Sequence, residues 1–238
     1  GQRILVADQQ MRSNCWYGRG LYAKRPGDSP EPAVPQLWLS GKTALVVGYG
    51  SVGSRVSLVL RSLGMKVLAI RRSIVEPTRD NIAEVYPSDR LRPLLLSRSP
   101  HVLVLCVPGT KETEGLVGRD ELNMLPRDGV LVNVARGPVV DEDALFEHLR
   151  TNELFTAAID CWYDYPNVNG GDDAGNHPPS RHEFRKLRNV VLSPHRGGAM
   201  GSEEVERERF LGILSTIRSI VDPTRRGTCR PMALSDGY

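Results

Sequence analysis

Short apolar runs recur along the chain, with polar and amphipathic stretches between them. Six runs are apolar at consecutive positions rather than at every second one: KTALVVG (42–48), KVLAI (66–70), HVLVLCV (101–107), GVLVNVA (129–135), FTAAIDC (155–161) and NVVLSP (189–194). A run without alternation is typical of a strand that is covered on both faces, as in a parallel sheet. We therefore predict six strands that belong to one parallel sheet.

Helical patterns occupy the stretches between these strands. In the first of them, apolar residues recur at helical spacing (Val52, Val56, Val59, Leu60 and Leu63). Ser88 or Asp89 is expected to cap the second. The predicted helices are 49–65, 87–100, 119–125, 141–152 and 202–221. Strands that alternate with helices predict an α/β fold, a doubly wound parallel sheet with helices on both faces.

The remaining segments are less regular. Residues 3–16 have a helical pattern, and the stretch 27–36 is a proline-rich linker. Residues 164–182 contain too much Gly, Asn and Pro for a helix or a strand, so we predict a long loop there. Loops of that length are usually functional or mobile.

Composition narrows the class of protein. The chain has 238 residues, 40% of them hydrophobic, with a net charge of +3 and no block of Lys or Arg, which argues against a nucleic-acid partner. Its apolar runs are too short to span a bilayer, so no membrane partner is expected. Its four cysteines form no CxxC pair, which favours reduced thiols, a cytoplasmic location and no metal site.

The motif GYGSVG (48–53) follows a predicted buried strand and opens a predicted helix. That context is the one required of a dinucleotide-binding turn. Gly48 permits the tight turn, Gly50 lets the backbone approach a pyrophosphate, and Gly53 lets the helix lie close to the sheet. Ser51 and Val52 begin the helix, whose N-terminus attracts phosphate. The alternative interpretation is a glycine turn that binds nothing.

The second strand ends in AIRRS (69–73), where an NAD-binding chain usually has an acid for the ribose hydroxyls. An arginine cannot accept those hydrogen bonds, but its planar guanidinium suits a 2′-phosphate, and Arg72 and Ser73 add donors beside Arg71. We therefore predict that NADP is the preferred cofactor, with NAD as the alternative. The other interpretation is that one or both arginines are simply solvated.

The order of motifs resembles the D-isomer-specific 2-hydroxyacid dehydrogenase family, which includes glyoxylate/hydroxypyruvate reductases and phosphoglycerate dehydrogenases. The stretches that carry the resemblance are LSGKTALVVGYGSVGSRV (39–56), LCVPGTKETEGLVGRDELNMLPRDGVLVNVARGPVVDEDAL (105–145), AAIDCW (157–162) and NVVLSPHRGG (189–198). The resemblance implies a Rossmann-type fold, remnants of a second flavodoxin-like domain, and reversible hydride transfer between NAD(P)H and a small 2-oxo acid.

The same resemblance implies roles for individual residues. Arg136, in VNVARG, would orient the substrate carboxylate and polarise its carbonyl. His195, in SPH, would supply the proton and also face the cofactor. Asp160 would face the nicotinamide end of the cofactor. The other positions expected to line the cofactor crevice are Val107, Pro108, Thr113, Val134, Ala135 and Gly197.

The chain departs from the family pattern at the partner of the catalytic histidine, which is usually a glutamate. Here the segment is DCWYDYP (160–166), with Tyr165 at the glutamate position and Asp164 before it. A tyrosine carries no charge at neutral pH. The candidate partners of His195 are therefore Asp164 and Tyr165, with Glu183 as a further option.

The second departure is length, because only a short segment precedes the glycine turn. The resemblance then implies three parts: a remnant of the inter-domain helix with a linker (1–36), the NAD(P)-binding domain (37–200), and a C-terminal helix and tail (201–238). It also implies a homodimer. We expect a shortened NADP(H)-dependent reductase whose turnover depends on a missing substrate domain. The alternative is a non-catalytic NAD(P)-binding module or corepressor-like scaffold.

Overall fold

The computed structural model describes residues 38–165 and 178–198, together with seven helical positions near the C-terminus (Glu203, Glu204, Glu206, Arg207, Phe210, Leu211 and Leu214). The strands are β1 Thr43–Val47, β2 Lys66–Ile70, β3 Thr78–Arg79, β4 Glu84–Tyr86, β5 Val102–Leu105, β6 Val130–Asn133, β7 Thr156–Ile159 and β8 Val190–Leu192. Between β1 and β8 the α-helices are α1 Ser51–Ser62, α2 Leu91–Arg98, α3 Arg119–Asn123 and α4 Glu142–Thr151. Short 3-10 turns lie at Ser88–Arg90, Gly137–Val139 and Phe184–Lys186.

The strands form one eight-stranded sheet in the order β3-β4-β2-β1-β5-β6-β7-β8. Every neighbouring pair is parallel except β3 and β4. From β4 to β7 the strands follow the doubly wound dinucleotide-binding order. In this order, successive strands are added on one side of β1 up to β4 and on its other side from β5 onward. In sheets of this type ligands bind where the strand order switches sides, which here is at the carboxyl ends of β1 and β5.

The strand ends are level with one another. Residues paired across the sheet at this edge form a single row, which consists of Ile70, Val47, Leu105, Asn133, Ile159 and Leu192. The segments that follow β1, β2, β5, β6, β7 and β8 therefore all leave the sheet from the same edge.

Strands β1, β2 and β5 bury both faces, as predicted, and they do so against two separate cores. The prediction was wrong for β8, at the edge of the sheet, where Val191 and Leu192 are exposed. Leu45, Leu68 and Leu103 face the larger cluster, whereas the neighbouring Ala44, Val67 and Val102 face the smaller one. Successive side chains of a strand point to opposite faces, so a continuous apolar run supplies both cores at once.

Helix α1 contacts the smaller core through a narrow face. Gly53 and Ser57 are its buried residues, and Val56 and Leu60 pack beside them. Residues four apart lie on the same side of a helix, and Gly53 allows that side to approach the sheet closely. The other apolar positions of the predicted pattern are exposed: Val52, Val59 and Leu63.

Two strands were not predicted, namely β3 and β4. They have two and three residues, and Val85 is the only fully buried side chain in them. Pairing with β2, rather than a local apolar pattern, defines this part of the sheet. The predicted cap of the second helix was also wrong, because neither Ser88–Arg90 nor α2 has a side-chain cap.

Some predictions concern residues outside the described part of the chain. The N-terminal helix 3–16, the linker 27–36 and residues 166–177 of the predicted loop lie there. The described positions of the predicted C-terminal helix are helical. Within the described residues, no helix combines the length and the apolar character needed to cross a membrane.

Candidate functional site

The glycine turn between β1 and α1 is packed against backbone. Gly48 has a φ of +101°, and a Cβ there would lie 2.6 Å from the carbonyl oxygen of Cys106. A Cβ on Gly53 would collide with the carbonyl oxygen of Gly48. Both glycines are therefore required for the turn to pass between α1 and the end of β5.

Gly50 differs from its two neighbours in the motif. No heavy atom lies within 4 Å of the position its Cβ would take, and its φ of −101° is open to any residue. Ser51 and Val52 start α1 beside it, both exposed, and the first turn of α1 contains no acid. Open space next to unpaired helix N–H groups fits a pyrophosphate, so these residues can hold a dinucleotide.

Arg71 leaves the end of β2 beside this turn. Its backbone N–H donates to the carbonyl of Tyr86, and its Nε donates to Ser73 Oγ at 2.9 Å. Its charge reaches the hydroxyl of Tyr49, within the glycine motif, where it opposes only in small part the effects that raise the pKa of that group. The structure thus brings Arg71 and Ser73 together next to the turn, with Arg72 exposed beside them.

The sequence analysis missed an acid that fixes this corner. Asp80 lies between β3 and β4, and it accepts hydrogen bonds from Tyr49 Oη at 2.7 Å and from the N–H groups of Ile82 and Ala83. Burial and the bond to Asp80 raise the pKa of Tyr49 to about 12. Tyr49 therefore fastens the glycine turn to the β3–β4 hairpin as a neutral donor.

The loop after β5 is held by its own side chains. The Oγ1 of Thr113 accepts from the N–H of Thr110 at 2.8 Å and donates to the carbonyl of Pro108 at 2.7 Å. Val107 is half-buried and Pro108 is exposed at the start of this loop. The hydroxyl of Thr113, predicted to contact the cofactor, is thus used to shape the loop that borders the crevice.

Arg136 is positioned by a buried amide that the sequence analysis also missed. Asn133, only 1% exposed, accepts from the N–H of Ala135 and donates to the carbonyl of Arg136. This closes the turn after β6, with Ala135 buried and Val134 and Arg136 exposed. A Cβ on Gly109 would lie 2.7 Å from Arg136 Cγ, so the stem of the arginine lies against the loop after β5.

The loop that carries His195 is organised by Asp160, at the end of β7. The carboxylate accepts from Ser193 Oγ, from the N–H of Arg196 at 2.8 Å and from the N–H of Gly197 at 3.0 Å. Burial alone would raise the pKa of this carboxyl, but these donors outweigh it and hold the pKa below its usual range. Gly197 was predicted to face the cofactor, and its N–H is committed to Asp160.

His195 adopts a left-handed backbone conformation, with a φ of 58°. Its Nδ1 lies 2.9 Å from Tyr165 Oη, and that oxygen also accepts from the N–H of Trp162 at 3.0 Å. The Nε1 of Trp162 in turn donates to the carbonyl of Ser193. A left-handed residue other than glycine is uncommon, and here it is held by a closed set of bonds between two strand ends.

Of the candidate partners for His195, the structure pairs Nδ1 with Tyr165. Asp164 has its backbone N–H bonded to the carbonyl of Pro179. Glu183 forms ion pairs with Arg185 and Lys186. The position where the resemblance implies a glutamate is thus occupied, in space as well as in sequence, by a phenol.

Asp160, Cys161 and His195 each place a ligand-type atom within 4.8 Å of the others. The thiol of Cys161 donates to the carbonyl of Ala135, and burial raises its pKa, which disfavours a thiolate. The carboxylate of Asp160 is already saturated with donors. We therefore interpret the group as a hydrogen-bond network and assign no metal to it.

Comparison with known proteins agrees with this geometry. Residues 2–197 match the model of the D-isomer specific 2-hydroxyacid dehydrogenase, NAD binding domain. A glyoxylate reductase from Thermococcus kodakarensis is 32% identical over 202 residues, which are 83% of this chain and 53% of the relative. The chain thus spans about half the length of the curated relatives it matches.

Two solved structures are also similar. A putative formate dehydrogenase from Pyrobaculum aerophilum has a TM-score of 0.68 and 26% identity, over 99% of this chain and 67% of that one. A D-isomer specific 2-hydroxyacid dehydrogenase from Xanthobacter autotrophicus Py2, in complex with NADPH and MES, has a TM-score of 0.63 and 26% identity, over 91% and 76%. The chain therefore belongs to the D-isomer specific 2-hydroxyacid dehydrogenase family and contains its NAD-binding domain.

Proposed function

We propose that the chain is the cofactor-binding part of an NADP(H)-dependent oxidoreductase that interconverts a small 2-oxo acid and its 2-hydroxy acid. The observation that carries this proposal is the level row of strand ends, from Ile70 to Leu192. It brings the glycine turn, Arg136 and His195 to one edge of the sheet. The similarity to a glyoxylate reductase supports a small 2-oxo acid as substrate.

Each residue then has a separate task. The guanidinium of Arg136 binds the substrate carboxylate and polarises the adjacent carbonyl. When bound, NADP(H) supplies the hydride, and reduction also consumes one proton. His195 donates that proton to the carbonyl oxygen, and in the reverse direction it accepts it from the hydroxyl.

The preference for NADP(H) rests on Arg71 and Ser73. The guanidinium lies beside the phosphate-binding turn, already oriented by Ser73 Oγ. It can donate two parallel hydrogen bonds to a 2′-phosphate, whereas it offers no acceptor to a ribose hydroxyl. The relative from Xanthobacter autotrophicus, solved with NADPH, is consistent with this choice.

The test of cofactor choice is fluorescence titration of wild type and Arg71→Ala with NADPH and NADH. We expect the variant to bind NADPH at least about tenfold more weakly, because charge-assisted hydrogen bonds are lost, with little change for NADH. Arg61→Ala, which removes a similar charge from the last turn of α1, is the matched control. Equal losses for both cofactors, or none, would refute the assignment.

A second candidate function is a nucleotide-binding module without turnover. It is favoured by Tyr165, since the phenol supplies no negative charge to His195 at neutral pH. The two functions are separated by measuring NADPH oxidation with glyoxylate and with hydroxypyruvate beside the binding titration. Binding with turnover supports the reductase, and binding without turnover supports the module. Absence of binding rejects both.

We also infer a cytoplasmic homodimer, as the family resemblance implies. Exposed apolar residues on α1, namely Leu58, Val59 and Leu63, offer a surface for a second copy. Light scattering measures the oligomeric state directly. A monomer at micromolar concentration that binds NADPH normally would reject the dimer and leave the cofactor assignment intact.

A further inference from the structure

The hydroxyl of Tyr165 has two partners among the described residues, and together they determine which of them receives its proton in a hydrogen bond. The backbone N–H of Trp162, at 3.0 Å, can only donate, so Tyr165 Oη is the acceptor in that bond. The other partner is His195 Nδ1, at 2.9 Å, which accepts or donates according to its tautomer. A phenol has a single proton, and the imidazole nitrogen is the partner that can accept it.

The ionisation state of the tyrosine agrees with this arrangement. Burial raises the pKa of Tyr165, an effect that the donor from Trp162 and the charge of Arg136 only partly offset. The phenol is therefore neutral across the physiological range and keeps its proton. A neutral phenol that donates to Nδ1 requires an unprotonated Nδ1, and a neutral imidazole then carries its proton on Nε2.

We propose that Tyr165 is a positioning residue that holds neutral His195 as the Nε2-protonated tautomer, so that the imidazole presents an N–H donor to the substrate oxygen. This inference rests on the proposed function for the identity of that oxygen. The tautomer itself is a property of the chain alone. The ring is held from the side of Nδ1, which leaves Nε2 for the substrate.

The charged and titratable groups around the imidazole come from three neighbouring segments. Asp160, at the end of β7, has a carboxylate oxygen within 4.8 Å of an imidazole nitrogen, and its oxygens are engaged by Ser193, Arg196 and Gly197. Arg136, after β6, and Cys161, after β7, also act on the Tyr165 hydroxyl: the charge of Arg136 lowers its pKa, whereas Cys161 and Asp160 raise it. Because Nδ1 faces the phenol and not the carboxylate, the tautomer is set by Tyr165.

This arrangement has a consequence for the direction of the reaction. A neutral imidazole with Nε2–H polarises a carbonyl as a hydrogen-bond donor, but it cannot accept a proton at Nε2. Complete proton transfer to the substrate oxygen requires the imidazolium form, in which Nδ1–H would have to donate to Tyr165 and displace the phenol proton. A carboxylate partner would stabilise that cation, and a phenol does not. Reduction therefore needs a cation that the phenol does not stabilise, and oxidation, in which Nε2 accepts the proton, needs the other neutral tautomer.

The direct test is ¹⁵N NMR of the histidine rings, which requires neither substrate nor turnover. The chain has five histidines, and His195→Gln identifies the signals by their loss. In the neutral form of the wild type we expect a protonated Nε2 and an unprotonated Nδ1. In Tyr165→Phe the ratio of the Nε2-protonated to the Nδ1-protonated tautomer should fall about fivefold, because one neutral hydrogen bond that favours the first is lost. Tyr86→Phe, which removes a phenol hydroxyl bonded to Glu84, should change nothing.

A protonated Nδ1 in the neutral wild type, or identical spectra for wild type and Tyr165→Phe, would overturn the inference. Tyr165→Glu provides a second readout, since it restores the carboxylate that the family resemblance implies. We expect its imidazolium form to persist to higher pH in the NMR titration, and the pH profile of 2-oxo acid reduction to extend upward with it. Identical titrations for Tyr165→Glu and wild type would also count against the inference that Tyr165 sets the tautomer of His195. Failure to bind or oxidise NADPH would reject the proposed function while leaving the tautomer result standing.

Discussion

Two places on the same edge of the sheet are built in opposite ways. At the glycine turn the geometry depends on missing side chains, because a Cβ on Gly48 or Gly53 would meet backbone oxygens. At the loop after β8 it depends on one side chain, because Asp160 gathers Ser193, Arg196 and Gly197 around its carboxylate. One place is shaped by close packing and the other by charge.

The two places should therefore resist different perturbations. Close packing of backbone does not titrate, so the contacts of Gly48 and Gly53 should be insensitive to pH and intolerant of an added methyl group. Hydrogen bonds to a carboxylate depend on its ionisation, so the loop of His195 should loosen in acid. The glycine turn and the loop of His195 can thus be disrupted separately.

The largest effect is expected from Gly53→Ala. The new Cβ would collide with the carbonyl oxygen of Gly48, and neither backbone segment can move without shifting α1 away from the sheet. We expect a loss of about 3 kcal/mol or more in the free energy of unfolding. Urea unfolding monitored by circular dichroism measures it.

Gly50→Ala is the matched control for this experiment. No heavy atom lies within 4 Å of its Cβ position, so its stability should fall by no more than about 1 kcal/mol, the effect of alanine at a helix cap. Its affinity for NADPH should nevertheless drop, because the methyl group occupies the space next to the pyrophosphate. Equal stabilities of Gly53→Ala and wild type would show that the turn is not closely packed.

The second effect concerns Asp160→Asn. Since the folded chain holds the pKa of Asp160 below its usual value, the contribution of this carboxylate is complete above about pH 4 and disappears as the pH falls through the folded-state pKa. At pH 7 we expect the variant to be less stable by about 2 kcal/mol, because an amide is a weaker acceptor for three donors. The gap between variant and wild type should narrow in acid, as measured by urea unfolding at each pH.

Asp89→Asn serves as the control for the loss of a carboxylate, because its side chain is 72% exposed and its nearest cation, Arg90, is 3.8 Å away. It should leave stability nearly unchanged at both pH values. A difference between Asp160→Asn and wild type that does not change with pH would mean that packing, not charge, organises the loop of His195.

The two places also differ in how far the sequence predicted them. The glycine turn is local: the motif, the strand before it and the helix after it are adjacent in the chain. Strand β2 was predicted with its observed bounds, Lys66–Ile70, because all of its information lies in five consecutive residues. Arg71 was assigned from its position alone, and the structure adds its contact with Ser73.

The surroundings of Arg136 and His195 are assembled from distant segments, and only some of their members were predicted from the sequence. The resemblance supplied Arg136, His195 and the pair of candidates Asp164 and Tyr165. It did not supply Asn133, which closes the turn of Arg136. An amide at the end of an apolar strand was the available signal, but a single polar residue does not say what it bonds to.

The hairpin β3–β4 escaped prediction for a related reason. Its strands are too short to carry a period, and Asp80, which fixes the turn between them, bonds to Tyr49 from 31 residues away. Acidic residues in a polar stretch ordinarily indicate solvent exposure. Only the fold reveals that this one holds the glycine turn.

The smallest effect is expected at a carboxylate that is also largely buried. Glu142, at the start of α4, has a side chain that is 11% exposed, and it accepts from Ser180 Oγ at 2.6 Å and from the N–H of Arg181 at 2.8 Å. The adjacent Pro179 carbonyl accepts from the N–H of Tyr163 and of Asp164. Glu142 thus anchors the segment against which the start of the Tyr165 loop is bonded.

We expect Glu142→Gln to lower the free energy of unfolding by about 1 kcal/mol and to speed hydrogen exchange at the amides of Tyr163 and Asp164. Glu147→Gln breaks an exposed pair with Arg150 on the same helix and should leave the stability nearly unchanged, with no change in exchange at those amides. If both variants accelerate exchange equally, α4 is acting through its overall stability. If only Glu142→Gln does so, the loop of Tyr165 is held by a specific carboxylate at this point too, and charge organises the surroundings of His195 beyond Asp160.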